Sequence, residues 1–514
     1  MASSRTEKST RTAIASFLNS TLEKVLSFVS KTVFIHVFGR EMLGLNGLFT
    51  NVISLLCLAD LGFGTAMAYS YYKPIAENDT KKIAALNKFY SKVYLIIAAV
   101  VSVAGVAFVP FLDSFVNLDH EIEHMYLYYA IAVFKTVCSY LFAYKQTLIT
   151  AHQHGYVISR YMSVSSTIST IIQIAITYVT RNYIAYLMVD VVFTIINNLI
   201  ISHQANKLYP YIKEKSEPLP KADRRGIFNN MGSIFLYKFS SVLINGTDNL
   251  LISKMVSTVA VGDYSNYLMP INMLTKYASI VFYSFTASLG NMMVSDSKEK
   301  QYRIFKIIQT MSAWFGIVIS ACTFALVDDF IILWLGKDFL VDKYTVCAIC
   351  INFLLTCLLY PIWIYREAAG IYLKTKYIMT VTAVLNIGLS ILMGKWIGMA
   401  GIIFASAVSK LLTYVWYEPI ILFRDHFKKS VWGYFVSFIA TLVISCGAAF
   451  GVKLLADMIP LSGILGFIVK GIACFAATNI LYFLLYFRNP YFKELLLRVK
   501  SLVGGVIGKF KKAK

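Results

Sequence analysis

Apolar stretches recur along the whole chain, separated by short polar interruptions. Each is about 20 residues or longer, which is enough for a helix to cross a hydrocarbon core of about 30 Å. Strands of a membrane barrel would instead alternate over about 10 residues, and that pattern is absent. The pattern predicts an all-α polytopic membrane protein with about 14 transmembrane helices. The predicted spans are 12–38, 46–72, 88–112, 125–150, 157–180, 183–206, 227–256, 264–293, 304–326, 344–365, 377–396, 399–423, 432–456 and 463–487.

The longest polar interruption covers residues 211–226 and contains two prolines. A shift of 218 residues places Gly44 on Gly262 and matches the order of spans on both sides of this segment. The repeat predicts two pseudo-symmetric six-helix lobes, 1–210 and 227–425, joined by a cytoplasmic linker at 211–226. An extra helix pair at 426–487 and a basic amphipathic cytoplasmic tail at 488–514 complete the predicted architecture.

Charge supports the membrane interpretation. The chain has 514 residues, of which 58% are hydrophobic and 15% charged, with a net charge of +21. The basic residues concentrate in alternate loops, so the positive-inside rule places both termini in the cytoplasm. The excess of positive charge therefore needs no nucleic-acid partner. The interruption that contains Asp328 and Asp329 is expected outside, followed by a short stretch, 330–335, lying in the interface.

Lysines inside the apolar stretches are the most specific feature of the chain. A cation at the bilayer centre costs about 2.5–3.5 kcal/mol on insertion scales, so such residues face a bundle interior or water. A single lysine has simpler explanations: Lys135 and Lys470 can face the lipid edge or pair with Asp60 or Asp190, and Lys254 can extend towards the interface. The embedded lysines are Lys24, Lys31, Lys135, Lys238, Lys254, Lys276, Lys410 and Lys470.

Spans 1, 7 and 8 combine these lysines with other polar groups at helical spacing. Such spacing puts the side chains of each helix on one face, which predicts a hydrated cationic cavity shared by the two lobes. Gly246 lies among side chains that compete for backbone hydrogen bonds, so local unwinding is expected there. A positive cavity favours an anionic substrate. The candidate substrate-binding residues are Lys24, Lys31, Lys238, Lys276, Asn245, Asn249, Asn272 and Tyr283.

Embedded carboxylates offer an energy-coupling site. Asp60, Asp248 and Glu418 lie within predicted spans, where acidic groups often carry protons or sodium ions. A buried ion pair with a nearby lysine is the competing interpretation. No P-loop, catalytic constellation or metal-ligand pattern is present, so neither enzymatic activity nor a cofactor is expected, and a proton or sodium gradient is the candidate energy source.

Two segments carry a resemblance to a known family. FGREMLGLNGLFTNVISLLCLADLGFGTAMAYSYYKPIAENDTKKI (38–83) and GTDNLLISKMVSTVAVGDYSNYLMPI (246–271) resemble polysaccharide transporters of the O-antigen flippase type. That family belongs to the multidrug/oligosaccharidyl-lipid/polysaccharide exporter superfamily. The resemblance implies alternating access and transfer of an undecaprenyl-pyrophosphate-linked oligosaccharide across the bacterial cytoplasmic membrane. Membrane lipids and a polysaccharide polymerase are the implied partners, and in that family a cationic cavity receives the pyrophosphate.

Three other functions stay open at this point. A lipid II flippase would share the spans and the cationic cavity. A multidrug/cation antiporter of the same superfamily would find buried lysines repulsive to its substrates. A non-transporting scaffold of a polysaccharide assembly complex would leave the embedded lysines unexplained.

Overall fold

The computed structural model describes residues 5–57, 63–118, 122–152, 154–214, 218–369, 371–498 and 500, and the side chains of most of them. Helices dominate, and no strand occurs among these residues. Asp60, one predicted coupling residue, lies outside the described residues. The side chains of Lys24, Lys238 and Asn245 also lie outside the description.

The chain divides into two compact units, Met1–Gly262 and Asp263–Lys514. The helices of the first unit are α1 (Arg5–Leu56), α2 (Phe63–Ala76), α3 (Thr80–Phe108), α4 (Leu112–Phe115), α5 (Met125–Tyr140), α6 (Ala143–Ala151), α7 (Gly155–Thr180), α8 (Tyr183–Leu208) and α9 (Lys221–Met255). Helix α9, which the predicted second lobe contains, packs here against α1 and α2. The predicted lobe boundaries remain a prediction.

The second unit begins within α10 (Thr258–Tyr283). Its further helices are α11 (Thr286–Ser295), α12 (Lys298–Trp334), α13 (Lys343–Ala368), α14 (Tyr372–Ile397), α15 (Met399–Leu412), α16 (Tyr414–Ile421), α17 (Trp432–Asp457) and α18 (Gly463–Tyr486). Helix α12 continues through Trp334, so residues 330–334 continue this helix rather than form a separate element, and their position in the interface remains a prediction. The apolar residues around Asp328 and Asp329 keep that segment helical.

The described helices fit a polytopic membrane protein, as predicted. Nine candidate spans are long and apolar enough to cross a membrane, and the bent pair α5–α6 would make ten. That pair corresponds to predicted span 4, which bends by 41° at its break. Of the other four predicted spans, span 1 lies within α1 and span 7 matches α9, whereas span 2 begins in α1 and ends in α2, and span 8 begins in α10 and ends in α11. In α10 the embedded polar residues Asp263, Asn266, Asn272 and Lys276 lower the mean hydropathy.

Glycine sets two of the chain's sharpest breaks. Gly39 has a φ of 83°, which interrupts the helical backbone inside α1 near the predicted end of span 1. Gly398 has a φ of 62° and alone separates α14 from α15. A side chain would be strained at such positive φ values. A Cβ at Gly401 would lie 2.0 Å from the Met393 carbonyl oxygen, so only glycine allows the close return of the chain.

The two glycines related by the 218-residue shift touch each other. A Cβ on Gly44 of α1 would lie 2.0 Å from the carbonyl oxygen of Thr258, at the start of α10. A Cβ on Gly262 would lie 3.1 Å from the backbone nitrogen of Gly44. Small residues allow helix backbones to approach this closely inside a membrane. The contact therefore depends on the absence of side chains at both positions.

Helix α12 supports the predicted C-terminal helix pair, α17 and α18. The shared core contains alanines from α12 and α17 together with Cys474 and Tyr482 of α18. Such small residues bring the helices close, so van der Waals packing stabilises the contact without a hydrophobic driving force from water. Residues 490–498 are helical and place Phe492 in the same core. Residues 499 and 501–514 of the predicted tail lie outside the described residues.

Candidate functional site

The polar face predicted on span 8 forms one exposed strip of α10. Asn272 and Lys276 are exposed, and Tyr283 is 39% exposed, whereas Ala278 and Phe282 on the opposite face are buried. Residues four positions apart lie on the same side of a helix, so sequence spacing predicted this arrangement. Because exposure of an ammonium group to hydrocarbon is unfavourable, we expect this strip to face water or a polar ligand.

Among the candidate substrate-binding lysines, Lys276 has a fully described and simple environment. Its ammonium forms neither an ion pair nor a hydrogen bond within the described part of the chain. Tyr283, two turns further along α10, hydrogen-bonds the Glu367 carboxylate through its hydroxyl. Within the described residues Lys276 therefore presents a cation without a carboxylate partner, while Glu367 lies at the Tyr283 end of the strip, and such a cation favours an anionic ligand.

Pro270 interrupts the hydrogen bonding of α10 just before this strip. Proline has no N–H to donate to the carbonyl of Asn266, four residues earlier. The Asn266 side chain is fully buried, and neither of its amide atoms has a hydrogen-bond partner among the described residues. The sequence analysis did not identify Asn266, although its position four residues before a proline can be recognised in the sequence. Pro270 and the buried, unpartnered amide of Asn266 therefore lie one helical turn apart in α10.

The polar face of α1 is only partly described. Lys31 is half-buried, and Ser27, one turn earlier, is exposed. Lys24 falls on the same predicted face. Whether these groups and α10 line one common cavity remains a prediction.

Helix α9 differs from expectation at Gly246. The unwinding predicted there is wrong, because the helix runs without a break from Lys221 to Met255. Thr247 donates its hydroxyl to the Leu243 carbonyl at 2.8 Å, a bond that fits inside a helix and leaves the backbone ladder in place. Asp248 and Asn249 are half-buried, and the amide oxygen of Asn249 is buried without a donor among the described residues.

Lys135 belongs to an ion-pair network inside the first unit. Its ammonium lies 2.6 Å from Asp190 Oδ2, and Gln173 donates to Asp190 Oδ1 at 2.8 Å. The network links α5, α7 and α8. Pairing with Asp190 was one of the explanations open for Lys135, and it is confirmed. The role of Gln173 was not predicted.

Two further lysines are held in the second unit. Lys470 of α18 pairs with Asp329 of α12 at 2.8 Å, rather than with Asp60 or Asp190. Lys410 of α15 donates to Asn352 Oδ1 of α13 at 3.0 Å. Asp329 was missed as a partner because its segment was predicted to be a loop. These lysines therefore connect helices, and Lys276 differs from them.

Glu418 takes part in a buried ion pair with Arg366. The side chains are 1% and 6% exposed, and an Arg366 Nη1 hydrogen bond joins α13 to α16. The competing interpretation for this carboxylate was an ion pair with a lysine; the partner is an arginine 52 residues away. Truncating one member of such a pair would leave the other charge buried and uncompensated.

Lys254 lies at the end of α9 and is exposed. Its ammonium is 5.2 Å from the centroid of the Phe115 ring, a cation–π distance. This environment agrees with the interfacial position considered for Lys254.

Comparison with known proteins places the fold. No family model matches the sequence, and no curated protein matches it. A solved structure of lipid II flippase MurJ in an inward closed conformation is similar, with a TM-score of 0.67 and 14% identity. The match covers 92% of this chain and 100% of that one.

Two multidrug transporters of known structure are also similar. An inward-facing MATE family transporter of the MOP superfamily has a TM-score of 0.60 and 13% identity, covering 79% of this chain and 96% of its own. The MATE multidrug transporter DinF-BH has a TM-score of 0.54 and 13% identity, covering 80% of this chain and 94% of its own. At these identities the likeness shows a shared fold.

Proposed function

We propose that this chain is a flippase that moves an undecaprenyl-pyrophosphate-linked oligosaccharide from the inner to the outer leaflet of the bacterial cytoplasmic membrane by alternating access. The product would enter O-antigen, capsule or exopolysaccharide synthesis. Polysaccharide polymerases are the proposed downstream partners. The fold shared with a flippase and with multidrug transporters supports a transport role.

The observation that carries the proposal is the exposed, unpaired ammonium of Lys276 on α10. Other embedded lysines are held by Asp190, Asp329 or Asn352, which explains their presence in apolar helices. Lys276 makes no such contact in the described part of the chain. A cation maintained at this position without a protein partner favours binding of an anion.

The chemistry of the proposed substrate fits this charge. A diphosphate cannot enter hydrocarbon alone, because its oxygens would lose the water that solvates them. Lysine ammonium groups replace part of that hydration and neutralise the charge through short hydrogen bonds. We propose that Lys276, with Lys24, Lys31 and Lys238, supplies these groups, and that Asn245, Asn249, Asn272 and Tyr283 bind the sugars. The polyprenyl tail would remain in the lipid.

Lipid II is the second candidate substrate. The MurJ structure matches over its whole length, and the name of that protein identifies lipid II as its cargo. Lipid II would also require cationic groups for its phosphates, so Lys276 does not separate the two substrates. A multidrug/cation antiporter is less consistent with the site, since an unpaired ammonium repels cationic cargo.

The energy source is proposed to be a proton or sodium gradient. Asp60 and Asp248 are the candidate coupling residues in the first unit. Glu418 is the third candidate, and its pairing with Arg366 means that ion binding there would have to compete with a buried guanidinium.

A depletion experiment tests the proposed function. On depletion, the lipid-linked glycan that accumulates on the inner leaflet is extracted and identified by mass spectrometry. We expect an undecaprenyl-pyrophosphate-linked oligosaccharide repeat unit, with normal lipid II levels. Accumulation of lipid II would assign the second candidate, and no change in any lipid-linked glycan would reject both.

A further inference from the structure

A small pocket with polar and apolar lining lies where α12, α17 and the chain after α18 meet. Its volume is about 200 Å³. It lies entirely within the second unit, away from the exposed strip of α10. We call it the α12–α18 pocket, and it is lined by Lys306, Gln309, Ser437, Tyr486, Asn489 and Tyr491.

Lys306 gives the pocket its charge. Its ammonium donates to Gln309 Oε1 at 3.0 Å and lies 5.7 Å from the centroid of the Tyr302 ring. No carboxylate lies within ion-pair distance of Lys306 in the described part of the chain. The side chain is half-buried, so water solvates it less well than it would an exposed lysine. An anion in the pocket would restore the missing charge compensation.

The surroundings add positive charge rather than neutralise it. Glu494, three residues after the lining residue Tyr491, is already paired with Arg303 at 2.7 Å and with Arg498 at 2.7 Å. Those two arginines hold the pKa of Glu494 below its usual range, although its partial burial acts in the opposite direction. Lys429 lies 4.5 Å from the centroid of the same Tyr302 ring.

Neutral donors complete the lining. The side-chain amide N–H groups of Gln309 and Asn489, and the Ser437 hydroxyl, make no other hydrogen bonds among the described residues. An ammonium with neutral donors beside it suits a tetrahedral oxyanion, because the oxyanion can accept one charge-assisted hydrogen bond and several weaker ones. The polar part of the lining therefore fits a phosphate group.

The exposed surface beside the pocket is apolar. Val436 of α17, next to Ser437, is 66% exposed, and Phe483 and Phe487 beside Tyr486 are also exposed. On the predicted topology these helix ends lie at the cytoplasmic leaflet, where anionic lipids attract basic pockets. We propose that the α12–α18 pocket binds the phosphodiester headgroup of an anionic phospholipid from the cytoplasmic leaflet, with its acyl chains against α17 and α18. This site is independent of the proposed substrate site.

Lipid titration of the purified full-length protein tests the assignment. Phosphatidylglycerol is added in detergent, and bound lipid is counted by native mass spectrometry while thermal stability is followed. We expect phosphatidylglycerol to bind the wild type, and Lys306→Gln to bind about tenfold more weakly through loss of a charge-assisted hydrogen bond. Lys300→Gln is the matched control, since it removes the same charge from an exposed lysine of α12 that pairs with Asp296.

Further variants and ligands keep the test decisive. Lys306→Arg should retain binding, and Gln309→Leu should weaken it without changing the charge, which covers the case in which Lys306→Gln fails to fold. Phosphatidylcholine with the same acyl chains should bind weakly. Equal phosphatidylglycerol binding by wild type and Lys306→Gln would overturn the site. Stabilisation by millimolar inorganic phosphate as strong as that by lipid would overturn the lipid assignment and identify a soluble anion as the ligand.

Discussion

Substitution of Gly44 by alanine should destabilise the contact between α1 and the start of α10. The added Cβ would lie 2.0 Å from the Thr258 carbonyl oxygen, and real Cβ atoms do not approach other atoms within 3.0 Å. The two segments would therefore have to separate by roughly 1 Å or more. Overpacking of this kind costs about 1–3 kcal/mol.

Thr258 is poorly able to move away. It is fully buried, and its hydroxyl accepts from the Asn117 backbone N–H at 2.8 Å and lies 2.8 Å from the Ser253 hydroxyl. Its own N–H donates to the Asn117 carbonyl at 2.9 Å. A shift of the Thr258 backbone would strain these bonds, so we expect a cost in the upper part of that range.

Thermal unfolding of the purified protein, followed by intrinsic fluorescence, measures the effect. Gly44→Ala should lower Tm clearly, and Gly47→Ala should lower it less, because its Cβ would meet only the Val261 methyl at 3.2 Å. Gly290→Ala is the control: no atom lies within 4 Å of its Cβ position, and alanine favours a helix. If Gly44→Ala were as stable as Gly290→Ala, the inferred close contact would be refuted.

Three further predictions concern other parts of the chain. Arg366→Met should destabilise the protein by about 3–5 kcal/mol, because the Glu418 charge would stay buried without its partner. The double variant, which also carries Glu418→Leu, should recover most of the lost Tm. Equal Tm values for the single and double variants would refute this. Burial, together with a neighbouring imidazole, lowers the pKa of His152 from its usual value of 6.5. The neutral His152 therefore contributes to stability above pH 6.5, and this contribution is lost as the pH falls below 6.5. The wild type should consequently lose more Tm between pH 7 and pH 5 than His152→Asn. In a cysteine-free background, Ser430→Cys should label only from the cytoplasm and Ser462→Cys only from outside, and labelling of both from one face would contradict the predicted topology.

The spans were predictable because twenty-residue apolar runs have one stable solution in lipid, a helix with its backbone hydrogen bonds satisfied internally. The turn at Gly398 and the pairing of Lys135 with Asp190 could be predicted from the sequence for a similar reason. Glycine punctuates helices, and an embedded lysine needs a counter-charge. The exposed face of α10 followed from four-residue spacing alone.

Other features depend on contacts distant in sequence. Asp328 and Asp329 indicate a loop when considered alone, but Asp329 is neutralised by Lys470, which lies 141 residues later. Arg366 and Glu418 are likewise joined only by the packing of their helices. Beside Gly246 the Thr247 hydroxyl does bond a backbone carbonyl, but this bond lies inside the helix and does not disrupt the backbone hydrogen bonds. The side chains of Lys24, Lys238 and Asn245 remain predictions.

A translocation assay in proteoliposomes tests the central claim most directly. Purified protein is reconstituted with a fluorescent undecaprenyl-pyrophosphate-linked oligosaccharide, and the fraction that reaches the opposite leaflet is measured by quenching. We expect Lys276→Ala to reduce translocation about tenfold or more, and Lys276→Arg to restore part of it by returning the charge. Lys254→Ala, which removes an exposed lysine beside Phe115, should translocate as the wild type does. Wild-type translocation by Lys276→Ala, at equal protein levels, would contradict the account.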